Sequence, residues 1–301
     1  MKRTWSKLWF ICLIGLCISC SSEIITDDAV QPTEQAISWV PYIAREVQTR
    51  AVMMDLTQLQ NNGFGIMGYV HENSETPNYA TPNFMNGPVT WDASQWSYSP
   101  TKYWPNDPSQ QLDFLAYAPY GNNHIKITDG YKLTFTVDTD PENQVDLVVA
   151  TTKDQTRNSN NGAVALNFRH LLSRLRFEAK AAAGYDYEIR FTYATLSGAP
   201  KEGTLDPWTK AWTSTSATGS YTVSSSADYL LLIPGATTGI TATIHYKLSG
   251  SDQSQEITLS NVLPTMDAGK SYKISLIVAK DDIISDVAAV ENWNEDTTQN
   301  E

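Results

Sequence analysis

The chain has 301 residues, with 21 Lys and Arg against 33 Asp and Glu, for a formal net charge of −12. An acidic chain of this kind makes a poor nucleic-acid ligand, because phosphate contacts need clustered Lys and Arg; it suits a surface protein that must not adhere to anionic membranes. All three cysteines precede residue 21, which excludes a disulfide framework, thiolate zinc sites and a cysteine nucleophile from the rest of the chain.

The first segment reads as an address. Lys2, Arg3 and Lys7 are basic, and Leu8 to Leu16 is an apolar run, shorter than the roughly 20 residues a spanning helix needs. That is the pattern of a secretory signal. The run closes on "CISC" and then "SSE", which resembles a bacterial lipobox, where small residues precede an acylated cysteine. Ser19 and Ile18 fit the two positions before Cys20, while Cys17 stands where Leu is usual. Leu16 is too bulky to precede a cleavage at Cys17, so Cys20 is the predicted lipidation site and residues 1–19 the signal peptide. Two acyl chains give stable anchoring at about 0.8 kcal/mol per buried CH₂. Losing the three basic residues takes the net charge to −15. Residues 20–36, with "SSEIITDDAVQPTEQA", are polar and acidic and read as a tether.

The remaining length suits two domains at about 100–200 residues each. Short alternating runs between turn residues predict an all-β body of antiparallel sandwiches. In the first half, Phe64–Val70, Leu112–Pro119, Leu133–Val137 and Val145–Thr151 read as strands, with a long aromatic loop "WDASQWSYSPTKYWPNDP" among them. The polar "KDQTRNSNNGA" (Lys153–Ala163) reads as a junction, giving an N-terminal sandwich over 37–160 and a C-terminal sandwich with its tail over 161–301. In the second half the period of two is clear. Leu171, Leu175, Phe177 and Ala179 share one face; so do Tyr187, Ile189, Phe191 and Tyr193; so do Ile240, Ala242, Ile244, Tyr246 and Leu248; and so do Tyr272, Ile274, Leu276 and Val278. "YLLLIP" (Tyr229–Pro234) is apolar throughout and reads as a more central strand.

No catalytic or metal motif emerges. His71, His124, His170 and His245 show no H-x-H or H-E-x-x-H spacing, so no metal site is expected. "DTDPENQVD" places Asp138, Asp140 and Glu142 at loop positions 1, 3 and 5, but Asn143 and Val149 stand where a calcium loop needs Gly and Glu. A solvated turn is expected there. G-x-S-x-G, P-loop and G-x-G-x-x-G patterns are lacking, and no rule selects a glycosidase carboxylate pair; an enzyme and a cofactor are not expected. Trp91, Trp96, Tyr98, Tyr103 and Trp104 form an aromatic cluster. It caps the first core, or, on a second reading, Trp91, Trp96 and Trp104 form a glycan platform.

In order, the lipobox, the tether, "EVQTRAV", "FGIMGYV", "NFMNGPVTW", "WSYSPTKYWP", "LDFLAYAP", "VDLVVATTKD", "LNFRHLLSRLRFEAK", "YLLLIPG" and "AGKSYKISLIV…WNED" resemble the fimbrillin family of Bacteroidales, in its Mfa-like branch. The resemblance covers about Ile37 to Trp293. It implies two transthyretin-like β-sandwich domains, export as an outer-membrane lipoprotein, and a subunit of a type V pilus. It also implies removal of the N-terminal segment by an arginine-specific protease, at Arg50 in "QTRAV" or Arg45 in "IAREV". Other fimbrial subunits are then the implied partners, by β-strand exchange into the emptied groove, together with a host or bacterial surface ligand. Ile37, Trp39 and Ile43 are the apolar anchors that would hold the first strand until it is cut. The C-terminal run with Ile283, Ile284, Val287, Val290 and Trp293 reads either as a donor strand or as the last strand of the second sandwich. The rival expectation is a monomeric outer-membrane glycan-binding lipoprotein.

Overall fold

The computed structural model describes residues 34–43, 53–73, 75–159, 162–261, 263, 265–279 and 283–292, with the backbone alone for Met85 and for 285–292. Cys20, Arg45, Arg50 and Trp293 lie outside the described residues. In chain order the first elements are β1 (Ser38–Ile43), helix α1 (Leu56–Asn62), β2 (Phe64–Glu72), β3 (Phe84–Trp91), β4 (Trp96–Tyr98) and β5 (Gln110–Ala118). Then come β6 (Ile125–Thr128), β7 (Lys132–Thr136), β8 (Val148–Gln155), β9 (Ala163–His170), β10 (Ser173–Ala181) and β11 (Ile189–Pro200). The last are β12 (Glu202–Asp206), β13 (Ala211–Ser214), β14 (Thr218–Val223), β15 (Leu230–Leu232), β16 (Thr241–Leu248), β17 (Ser254–Ser260), β18 (Lys270–Val278) and β19 (Ile283–Asn292). The body is all-β.

The largest sheet runs β1-β9-β8-β5-β2-β3-β4. It is buried on both faces, which is why "FGIMGYV" and "LDFLAYA" read as near-continuous apolar runs. Phe64, Ile66, Phe114, Ala116, Val148 and Ala150 pack on one side, against α1 and β1. Met67, Tyr69, Leu115, Tyr117 and Val149 face the other side and join a larger core with Leu175, Phe177, Leu196 and Ile244. The remaining sheets run β13-β12-β7-β6, β15-β10-β18-β19 and β14-β11-β16-β17.

The expected boundary near residue 160 falls between β8 and β9, which pair with each other at Val148–His170 and Val149–Arg169. The β6–β7 hairpin, from the first half of the sequence, pairs through β7 with β12 from the second. Residues 34–301 form one compact unit. The expected aromatic loop instead contains a β3–β4 hairpin. Its turn is fixed by Asp92, whose Oδ1 accepts the Gln95 and Ser94 backbone N–H groups at 2.8 and 3.0 Å. Those bonds hold the Asp92 carboxyl well below its usual range. The acidic run forms the expected turn, with Asp138 and Asp140 accepting backbone N–H groups two residues on.

Two local expectations need correction. Tyr193 does not share a buried face with Phe191: a β-bulge between them shifts the register of β11 against β16. The inward positions become Ala194 and Leu196, and Tyr193 turns outward to stack on His245 at 3.9 Å. β15 is buried but lies at a sheet edge rather than centrally. Its outer side is closed by Gln144, which is 1% exposed. Gln144 Oε1 accepts the Leu231 N–H at 2.7 Å and its Nε2 donates to the Leu231 carbonyl at 3.2 Å. A side-chain amide thus stands in for the missing neighbour strand.

Gln144→Leu keeps the volume but leaves two buried backbone groups unpaired. We expect a loss of about 2–6 kcal/mol in urea unfolding, at about 1–3 kcal/mol per orphaned group. An unchanged midpoint would show that this edge is satisfied by other means.

Candidate functional site

The site is the seat of β1, at one edge of the large sheet. Along "ISWVPYI", side chains alternate: Ile37, Trp39 and Ile43 are buried, while Val40 and Tyr42 are 57% and 50% exposed. Pro41 lacks an N–H, which only an edge strand tolerates well. β1 pairs in parallel with β9, from Ser38 opposite Ala163 to Ile43 opposite Phe168. β9 meets β8 only at its last two residues, so Ala163–Phe168 depends on β1 for its ladder.

The seat is lined with rings. The Trp39 indole lies edge-on to Phe114 at 5.1 Å and tilted against Tyr98 at 5.7 Å. The Tyr98 hydroxyl donates to the Ile37 carbonyl at 2.8 Å. Burial pushes the Tyr98 hydroxyl upward, so it stays a donor at neutral pH. Ile37 N–H donates to the Lys102 carbonyl at 2.9 Å, Trp104 N–H to Gln35 at 3.0 Å, and Ser38 N–H to Gly162 at 3.1 Å. At Gly162 a Cβ would lie 2.1 Å from the Gln35 side chain, at a φ of +84°, so the strand's entry requires glycine there.

The fit has a flaw. The Trp39 Nε1 is buried with no hydrogen-bond partner, at a cost of about 1–3 kcal/mol. Burying three anchors contributes about 5–9 kcal/mol. Ordering six backbone residues costs about 6–12 kcal/mol. Ladder bonds add about 1 kcal/mol each. The gains and costs of seating β1 are thus of the same order.

Beyond residues 44–52 the chain is held firmly again. Met53 and Met54 are buried. The Met54 N–H donates at 3.0 Å to Oδ2 of Asp146, which also takes the His170 Nδ1 proton at 2.7 Å. Both Asp146 and His170 are buried. Asp55 then caps α1, accepting the Gln58 N–H at 2.7 Å. Arg45 and Arg50 thus lie between two anchored segments. The sequence held no signal for the Asp146–His170 pair, which is built across β9 and the approach to β8.

The tryptophans are dispersed in role. Trp104 is 4% exposed, edge-on to Phe114, and its Nε1 donates to the Gly162 carbonyl at 3.3 Å. Half-buried Trp96 packs on Phe64 at 5.1 Å, and Trp91 packs on Trp96 at 5.3 Å. These side chains line the core beneath β1 and the neighbouring hairpin, and do not form an open three-ring platform. At the other end, β19 pairs antiparallel with β18, from Val278–Ile283 to Lys270–Asn292, and ends its sheet.

A family profile described as fimbrillin-like matches residues 49–293. The chain belongs to the fimbrillin-like family. The match begins at Thr49, beyond β1. Fimbrium subunit Fim1C of Phocaeicola vulgatus is 35% identical over 153 residues, spanning 43% of this chain and 40% of that protein. The chain thus aligns with less than half of that relative's length. A crystal structure of a fimbrial protein from Bacteroides vulgatus superposes with a TM-score of 0.64 at 22% identity, covering 86% of this chain and 99% of that one. At that identity the likeness is one of fold.

Trp39→Ala should lower amide-exchange protection at 38–43 and 163–168 together, whereas Trp39→Phe, which removes the unpaired N–H, should keep it. Exchange mass spectrometry that found both strands unaltered in Trp39→Ala would refute the role given to this anchor.

Proposed function

We propose that this fimbrillin-like chain is a structural and adhesive subunit of a cell-surface fimbria. It is exported as a lipoprotein acylated at Cys20, held at the outer membrane, and assembled by strand exchange after cleavage at Arg50 or Arg45. Its activity is association, without chemistry. The observation that carries the reading is the dependence of Ala163–Phe168 on β1, an edge strand joined to the body through the arginine-bearing stretch 44–52.

Cutting that stretch changes the balance at the seat. While attached, β1 is tethered beside its groove at high effective concentration, which offsets its imperfect fit; once severed, it gains translational freedom and departs. Departure bares the β9 backbone and the apolar hollows of Ile37, Trp39 and Ile43. Such an edge is a template for an incoming strand. A donor with a shorter apolar residue in the Trp39 hollow, which buries no unpaired N–H, fits better than the resident. The extended β19 of a neighbouring copy, at the edge of its own sheet with Ile283 and Ile284 exposed, is the candidate donor. The buried Met53–Met54 anchor keeps the shortened chain from unravelling past the cut.

Arg50→Ala should give lipidated, unassembled precursor, seen as the loss of SDS-resistant ladders and an N-terminus that remains at Cys20. Ladders that persist, with a new N-terminus after Arg45, would move the cut to Arg45; ladders built of uncut chains would refute processing altogether.

A further inference from the structure

Three adjacent strands of the large sheet bring His71, Asp113 and Asp154 together. The His71 Nε2 lies 3.2 Å from Asp113 Oδ1 and 3.8 Å from Asp154 Oδ1. All three ligand atoms lie within 4.8 Å of one another. His71 is 6% exposed and Asp113 1%, whereas the Asp154 carboxylate is 65% exposed. The residues come from β2, β5 and β8, adjacent in the large sheet. Asp154 adopts a φ of +56° beside a bulge between β5 and β8, and its backbone N–H donates to Asp113 Oδ1 at 2.8 Å.

The geometry singles this cluster out. The His71 Nδ1 lies 3.0 Å from the Glu72 carbonyl. A carbonyl oxygen can only accept, so Nδ1 donates there, and Nε2 is left facing the Asp113 and Asp154 carboxylates. Among the described residues, no Lys or Arg lies within salt-bridge reach of Asp113 or Asp154. The ammonium of Lys153 is held over the Tyr79 and Trp208 rings, at 5.6 and 5.3 Å. A cation among the three groups meets one ligand atom from each.

We propose that His71 Nε2, Asp113 Oδ1 and Asp154 Oδ1 bind one divalent transition-metal ion of the zinc type. Two ligands at about 2.1 Å in tetrahedral geometry stand about 3.4 Å apart, and the observed 3.2 and 3.8 Å bracket that separation. An imidazole with carboxylate oxygens suits zinc. The outer contacts match as well. A ligating histidine commonly donates its other N–H to a backbone carbonyl, and ligating carboxylates are themselves hydrogen-bonded. Glu72 supplies that carbonyl, and the Tyr79 hydroxyl donates to Asp113 Oδ2 at 2.6 Å. Exposure of Asp154 gives the ion an entry path and leaves a coordination position to water. Tyr79 stacks on Trp208 at 4.1 Å. An ion here therefore clamps three strands of the large sheet and, through Tyr79, the turn between β12 and β13. No motif announces the site, because the ligands are 42 and 41 positions apart.

The test uses the full chain and its Asp154→Asn variant in equilibrium dialysis against zinc chloride, with bound metal counted by atomic emission. Asn tolerates the left-handed backbone and keeps the N–H to Asp113, and matching near-ultraviolet circular dichroism verifies its fold. Cys12, Cys17 and Cys20 are common to both proteins, so thiol binding cancels. Wild type should hold one zinc more per chain, or bind it about tenfold or more tightly. Zinc should also raise the Tm of the wild type and leave that of Asp154→Asn unchanged. Equal stoichiometry and affinity, with equal Tm shifts, would overturn the site and leave His71–Asp113 as an ordinary ion pair.

Discussion

A sheet edge that lies over an apolar hollow cannot stay bare. Ala163–Phe168 has β1 as its ladder partner along its whole length, and the hollow beneath takes Ile37, Trp39 and Ile43. Backbone groups stripped of partners beside exposed rings are costly in water and invite any extended strand that fits. The rest of the molecule can be understood as support for that one vulnerable edge. Phe114 and Tyr98 shape the hollow, Gly162 admits the strand, and the Asp146–His170 pair fixes the chain beyond it.

Support is distributed unevenly, and the unevenness makes sense. The sheet interior is covered on both faces, with β2, β5 and β8 between two apolar cores. β15, also at an edge, is sealed by Gln144 within the same chain. β1 is held differently. Its largest anchor keeps an unpaired donor, and its six residues include a proline, whose missing N–H lies on the side away from β9. One edge is closed by a side chain of the body, and the other by a strand from the N-terminal end of the described residues.

Much of the fold was legible in the sequence. Alternation located β10, β16 and β18 with their buried faces, because one side of each strand meets the core and the other meets water. It failed at β11, where a bulge reverses the facing of Tyr193 and no residue type announces the bulge. It misplaced β15, since an apolar run says that a strand is buried without saying whether another strand or a glutamine covers its flank. Helix α1 was too short to show a 3.6-residue period. Nothing in the sequence announced that β7 pairs with β12, a contact set by topology. At the candidate site, the anchors Ile37, Trp39 and Ile43 were visible from their spacing. The parallel partner β9 and the Asp146–His170 pair were not, because both come from distant positions.

The central claim is that β1 must leave its seat for subunits to join. Val40 and Ala165 are register partners on the exposed face of the β1–β9 ladder, so the Val40→Cys, Ala165→Cys double variant can lock the strand in place. Ladder formation after protease treatment, measured with the lock oxidised and again after reduction, decides the matter. The account predicts cleaved but unassembled monomers when oxidised and full ladders when reduced; ladders of equal yield in both states would contradict it.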